Sequence, residues 1–113
     1  QYTYARTCSI LEKAGEVTVD GIRITEPAES ALCKVLSQFG EAVLSAVADY
    51  EPSDVTRYIL DVCTAFNRFY HDCPILSADD ETARKSRVAL TQATNYVLGN
   101  ALPLICLKTP EKI

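Results

Sequence analysis

Val55, Ile59, Val62, Phe66, Phe69 and Cys73 alternate steps of four and three along the chain. At 3.6 residues per turn, that spacing places them on one stripe of a long helix. Pro74 ends the run, because the residue before a proline avoids the helical region. An apolar stripe of this length faces a core, so the rest of the chain must supply the elements that cover it.

The neighbouring segments also read as helices with short punctuation. Tyr2 to Ala14 carries Tyr4, Cys8 and Leu11 at helical spacing, and Gly15 stops it. GEVTVDGIRITEP has strand-like alternation but no second strand-like run to pair with, so it reads as a loop. Pro27 suits the first turn of the next helix. Ala28, Leu32, Val35, Leu36 and Phe39 give that helix one stripe, and Gly40 is expected to break it. A third helix, Glu41 to Asp49, carries Val43, Leu44, Val47 and Ala48. Tyr50, Glu51 and Pro52 turn the chain into the long helix, with Ser53 as its N-cap candidate and Asp54 near the positive end of the dipole. SADDET then forms a polar loop that offers Ser77 and Asp79 as caps. The last helix runs from about Thr82 to about Ile105, with a seam of Ala83, Leu90, Ala93, Val97, Ala101 and Leu104. Pro103 predicts a kink or an early end there. The fold expected is all-α, a five-helix antiparallel bundle. With 113 residues, 48% of them hydrophobic, the chain has material for one domain around one core.

Composition removes several function classes. No run of eighteen apolar residues occurs, and the N-terminus lacks the basic-then-apolar layout of a signal peptide. The chain has no methionine, which fits a piece of a longer protein. Its five cysteines are odd in number and widely spaced, which argues for reduced thiols and a cytoplasmic setting over a disulfide framework. No CxxC is present, so no metal site is expected. GxSxG, P-loop, HExxH and GxGxxG motifs are likewise missing. His71 and Asp72 are adjacent on a helix and point about 100° apart, so they are not expected to form a relay by themselves. Cys73 diverges from His71 in the same way. Asp79, Asp80 and Glu81 read as a solvated loop and helix cap. Arg84, Lys85 and Arg87 form the one dense basic cluster. It reads first as a solvated helix face and second as a phosphate contact. The net charge of −4 counts against a nucleic-acid binder, although the local field matters more than the average.

The end of the long helix, AFNRFYHDCPIL, concentrates the aromatics. Phe66 and Phe69 fall on the core seam and Arg68 lies roughly opposite. Tyr70 sits at the seam's edge, with Asn67 and His71 further round on the same side. Two readings of Tyr70 remain open at this point. It is an ordinary boundary tyrosine, or it is a platform on which unstacked RNA bases are caught and read by nearby polar groups.

YILDVCTAFNRFYHDCPIL, followed by RVALTQATNYVLGNALPLICLKTPEKI, resembles the C-terminal domain of arginyl-tRNA synthetases. QYTYARTCSILEKAGE is similar to that family's QYAHAR-type segment, and LCKVLSQFGEAV and EPSDVTRYI resemble its middle helices. The resemblance runs in order over essentially the whole chain. It implies a DALR-type anticodon-binding domain over residues 1–113, the terminal piece of a longer class I synthetase that ends at Ile113. The catalytic domain, with its ATP and Mg sites, would lie upstream. This piece would hold no cofactor and would not activate arginine alone. The partners implied are the anticodon stem-loop of arginine tRNA and the catalytic domain of the same polypeptide, with no membrane.

In the family, an aromatic in the QY segment, a tyrosine near the end of the fourth helix and the last residue approach the splayed anticodon. Carried onto this chain, these are Tyr2, Tyr70 and Ile113. Arg6, one turn after Tyr2, is a candidate phosphate or base-edge contact. Asn67, His71 and Gln38 are candidates from geometry alone. Two departures stand out: Ile113 replaces a terminal Met, and Pro74 occupies a position where some relatives carry an aromatic or Arg. The resemblance also implies an apolar patch where the catalytic body packs, with the Tyr2–Leu11 helix as the candidate. The competing reading is a stand-alone helical module for protein–protein interaction. A third, a small Cys–His enzyme, needs a pocket that joins His71 to a reactive thiolate.

Overall fold

The computed structural model describes residues 2–15, 24–49, 52–78 and 80–108, with side chains over 2–15, 24–44, 55–78 and 80–103. The described residues form α1 (Tyr2–Ala14), α2 (Pro27–Leu36), α3 (Phe39–Asp49), α4 (Pro52–Asp72) and α5 (Glu81–Lys108). Most of GEVTVDGIRITEP lies outside the described residues, so its reading as a loop stays an expectation.

All six residues of the α4 stripe are buried. They feed two core clusters stacked along the helix. Val55, Ile59 and Val62 pack with Tyr58, Val97, Leu98 and Ala101 at one end. Phe66, Phe69 and Cys73 pack with Ile10, Leu32, Ile75, Val88 and Leu90 at the other. α4 and α5 therefore run antiparallel. So do α1 and α5, where Thr7 meets Asn95 and Tyr4 meets Gly99.

α1 buries a different ridge from the one its apolar residues suggest. Thr3, Thr7 and Ile10 face inward, Tyr4 and Leu11 are half-buried, and Cys8 is exposed. Small threonines let α1 sit close to its neighbours, and their hydroxyls are bonded. Thr7 Oγ1 donates to the Tyr4 carbonyl at 2.6 Å and accepts from Asn95 Nδ2 at 3.1 Å. The outer face carries Ala5, Cys8, Ser9 and Glu12, with Tyr2 as its single large exposed hydrophobe. A broad apolar patch is not found there. Gly15 ends the helix with φ +70°, and its amide donates to the Leu11 carbonyl at 3.1 Å.

Other boundaries also move. Gly40 lies inside α3, and the break falls at Ser37 and Gln38 instead. α4 begins at Pro52, so Ser53 lies within its first turn and is not the residue preceding it. Pro at the first helical position lacks only a donor that would have had no partner. Asp80 caps α5: its Oδ1 accepts from the Ala83 amide at 2.7 Å; of the two caps the sequence offered, Asp79 lies outside the described residues. α5 also continues through Pro103 to Lys108 and does not stop early.

α5 is buried over more of its circumference than one seam, because α1, α2 and α4 all pack on it. Thr91 and Thr94 are wholly buried, and each donates to the carbonyl four residues back, at 3.0 and 2.9 Å. Gly99 faces Tyr4, and a Cβ there would stand 3.5 Å from the ring, an ordinary contact. Gly99→Ala should therefore raise stability by about 0.5 kcal/mol, from helix propensity alone. A urea midpoint that falls instead would mean that Tyr4 has no room to spare. No described helix is long and apolar enough to cross a membrane.

Candidate nucleic-acid interface

The first turns of α1 and the last turns of α4 meet at the surface above the Phe66–Phe69 core. Tyr2 and Arg6 are four residues apart and share a face of α1; Asn67 and Tyr70 are three apart and share a face of α4. The fold joins the two pairs. The Arg6 guanidinium carbon lies 4.7 Å from the Tyr2 ring centroid and 4.3 Å from that of Tyr70. Arg6 Nη2 donates to the Tyr2 hydroxyl, and Nη1 donates to Asn67 Oδ1 at 3.3 Å. Asn67 Nδ2 in turn donates to Thr3 Oγ1 at 3.3 Å, which ties α4 to α1. Tyr70 stacks inward on Phe66, with centroids 6.4 Å apart and planes at 28°. Tyr2 and Tyr70 remain 69% and 44% exposed. The result is a cation held between aromatic rings at the surface, anchored on a rigid core.

Four of the seven predicted residues, Tyr2, Arg6, Asn67 and Tyr70, thus form one cluster. His71 is not bonded into it. Its Nδ1 lies 3.1 Å from Asp72 Oδ1, so the adjacent pair touches although the two positions diverge on the helical wheel. Both side chains are exposed near the helix end, where they are free to lean together. The His71 bond, with help from Arg68, holds the Asp72 carboxyl below its ordinary range. Cys73 is buried, and burial pushes its thiol up, away from the thiolate that a Cys–His enzyme needs. Ile113 lies outside the described residues. Gln38 sits in the α2–α3 turn beside Phe39, which stacks on Tyr58. Tyr58 is about 18 Å along α4 from Tyr70, so Gln38 is not part of the cluster.

A hollow of about 600 Å³ opens beside Tyr70, walled by Ile10, Lys13, His71, Pro74, Ile75 and Leu76. Its residues come from two stretches far apart in sequence, 10–13 and 70–77, and no local spacing announces it. Lys13 and His71 put cationic and titratable groups at an apolar floor. Among the described residues, no three metal-ligating side chains converge.

Two of the three basic residues of the α5 cluster, Arg84 and Arg87, pair within the chain. Arg84 lies 3.8 Å from Glu81. Arg87 Nε donates to Glu29 Oε2 at 2.8 Å, and Nη1 donates to the Pro74 carbonyl at 2.8 Å. Glu29 is buried and also accepts from the Thr25 and Glu26 amides, each at 2.9 Å. Burial pushes its carboxyl upward, but these donors and Arg87 outweigh that and hold it below the ordinary range. Arg87 is therefore neither a solvated residue nor a free phosphate contact. It clamps the loop that walls the hollow.

The family model described as the DALR anticodon binding domain matches residues 1–113. An arginine–tRNA ligase from Clostridium botulinum is 42% identical over 115 residues, covering 100% of this chain and 20% of that protein. One from Alkaliphilus metalliredigens is 41% identical over 116 residues, with the same coverage of each. The structure of Thermus thermophilus arginyl-tRNA synthetase superimposes with a TM-score of 0.85 at 34% identity, over 92% of this chain and 19% of that one. The chain thus spans about 20% of the length of the curated relatives it matches.

Proposed function

Since the chain belongs to the DALR anticodon binding domain family, we propose that it reads the anticodon loop of an arginine tRNA as the C-terminal part of an arginine–tRNA ligase. The observation that carries this reading is the Tyr2–Arg6–Tyr70 cluster: exposed aromatic rings and a guanidinium, held where α1 meets α4. Rings of this kind catch unstacked bases, and a guanidinium meets phosphate with paired donors. Tyr2, Arg6, Asn67 and Tyr70 are the proposed contacts. His71 serves from the rim of the adjacent hollow, and Ile113 completes the set from the chain's end.

In this reading the domain supplies recognition only. ATP, Mg and the ligation chemistry belong to an upstream catalytic domain that packs against this one, and the whole enzyme works in the cytoplasm. A stand-alone protein–protein module is not favoured, because the relatives that match the full chain are ligases of about five times its length. The test is a titration of an arginine-tRNA anticodon stem-loop at low salt, beside the same loop with its middle anticodon base changed. The changed loop should bind about 5–150-fold more weakly, since one base contact or stack contributes roughly 1–3 kcal/mol. Equal binding would reduce the interaction to phosphate attraction.

A further inference from the structure

The Tyr70 ring is flanked by Phe66 and by Arg6. Its inner face packs toward Phe66, which is fully buried, and its outer face lies under the Arg6 guanidinium at 4.3 Å. A base that stacks on the outer face of Tyr70 must take the place where Arg6 now lies. We propose that Arg6 is a displaceable place-holder: its planar guanidinium occupies the Tyr2–Tyr70 slot in the free protein, yields it to an incoming nucleobase, and swings out to pair with a phosphate of the same strand. This rests on the reading of the cluster as an anticodon contact.

The ties that hold Arg6 suit such an exchange. Among the described residues it pairs with no carboxylate. Its fixed donors go to a tyrosine hydroxyl and, at 3.3 Å, to an amide oxygen. The slot is built without it. Phe66 backs Tyr70 from the core, and the Asn67–Thr3 bond joins the two helices independently of the guanidinium. A flat cation keeps the two rings from collapsing on each other before the ligand arrives. Once displaced, the same group presents a fork of donors that matches phosphate. One residue thereby couples base stacking to a backbone contact.

The Arg6 Nε–Hε resonance of this 113-residue chain reports the exchange. It can be assigned by its loss in Arg6→Lys. In the free protein the two rings should shift it upfield. During titration with the anticodon stem-loop, it should move downfield in step with the Tyr70 ring protons. Arg6→Lys keeps the charge but loses the paired donors, so it should bind more weakly than the parent. If the Tyr70 ring responds while Arg6 stays upfield, or if Arg6→Lys binds as tightly as the parent, Arg6 does not exchange the slot for a phosphate and the inference fails alone. If neither Tyr2 nor Tyr70 responds to the RNA, the anticodon-contact reading fails and takes the inference with it.

Discussion

Replacing Arg87 with alanine should destabilise the chain by about 3 kcal/mol, the usual cost of stripping one partner from a buried ion pair. Glu29 is 1% exposed and would keep its charge with no cation beside it. Three donors from Thr25 and Glu26 would remain, and they keep the loss near the lower end of the range. That loss is a large fraction of the roughly 5–15 kcal/mol by which domains are stable. Urea denaturation reads it directly, and a loss under about 1 kcal/mol would show that the pair is not a clamp. The pH dependence gives a second signature. Glu29 titrates below its ordinary value of 4.5 in the folded chain. Its contribution is therefore in place above that value and is lost as pH falls through the folded pKa. In Arg87→Ala, protonating Glu29 removes the unpaired charge. The gap between parent and variant should narrow in acid, and a gap that stays constant would contradict this account of the pair.

Tyr70→Ala should weaken stem-loop binding by about 10–100-fold, the loss expected when one base loses its stacking partner. Its effect on stability should be smaller, because the ring is 44% exposed and packs at the edge of the core. Tyr96 provides the control. It is more exposed, at 67%, and projects from α5 outside the cluster. Tyr96→Ala should leave binding unchanged. Similar losses from both substitutions would mean that exposed tyrosines attract RNA without a defined site.

The sequence shows α4 most clearly, because its stripe consists of large apolar residues and all of them are buried. It shows α1 as a helix but misplaces its inner ridge, since Thr3 and Thr7 carry no hydrophobic signal and are buried through hydroxyl bonds. Glu29 and Arg87 look like surface charges from their composition. Their partnership spans 58 positions, and only the fold reveals it. The candidate site divides in the same way. Tyr2 with Arg6, and Asn67 with Tyr70, are visible as helical neighbours. The meeting of the two pairs depends on α1 docking against α4. The resemblance to a known family supplied that juxtaposition, and periodicity could not. The hollow beside Tyr70 carries no sequence signal of its own, because its walls come from two stretches about sixty residues apart.

The central claim is a location: RNA docks where the first turn of α1 meets the last turns of α4. Amide and side-chain resonances of the chain, followed while an arginine-tRNA anticodon stem-loop is added at low salt, test that location directly. The expected result is a compact set of shifts over residues 2–6 and 67–71, extending to Lys13 and the hollow, with α3 and the outer face of α5 silent. Shifts centred on Tyr96 or α3, or spread evenly over every basic side chain, would contradict it.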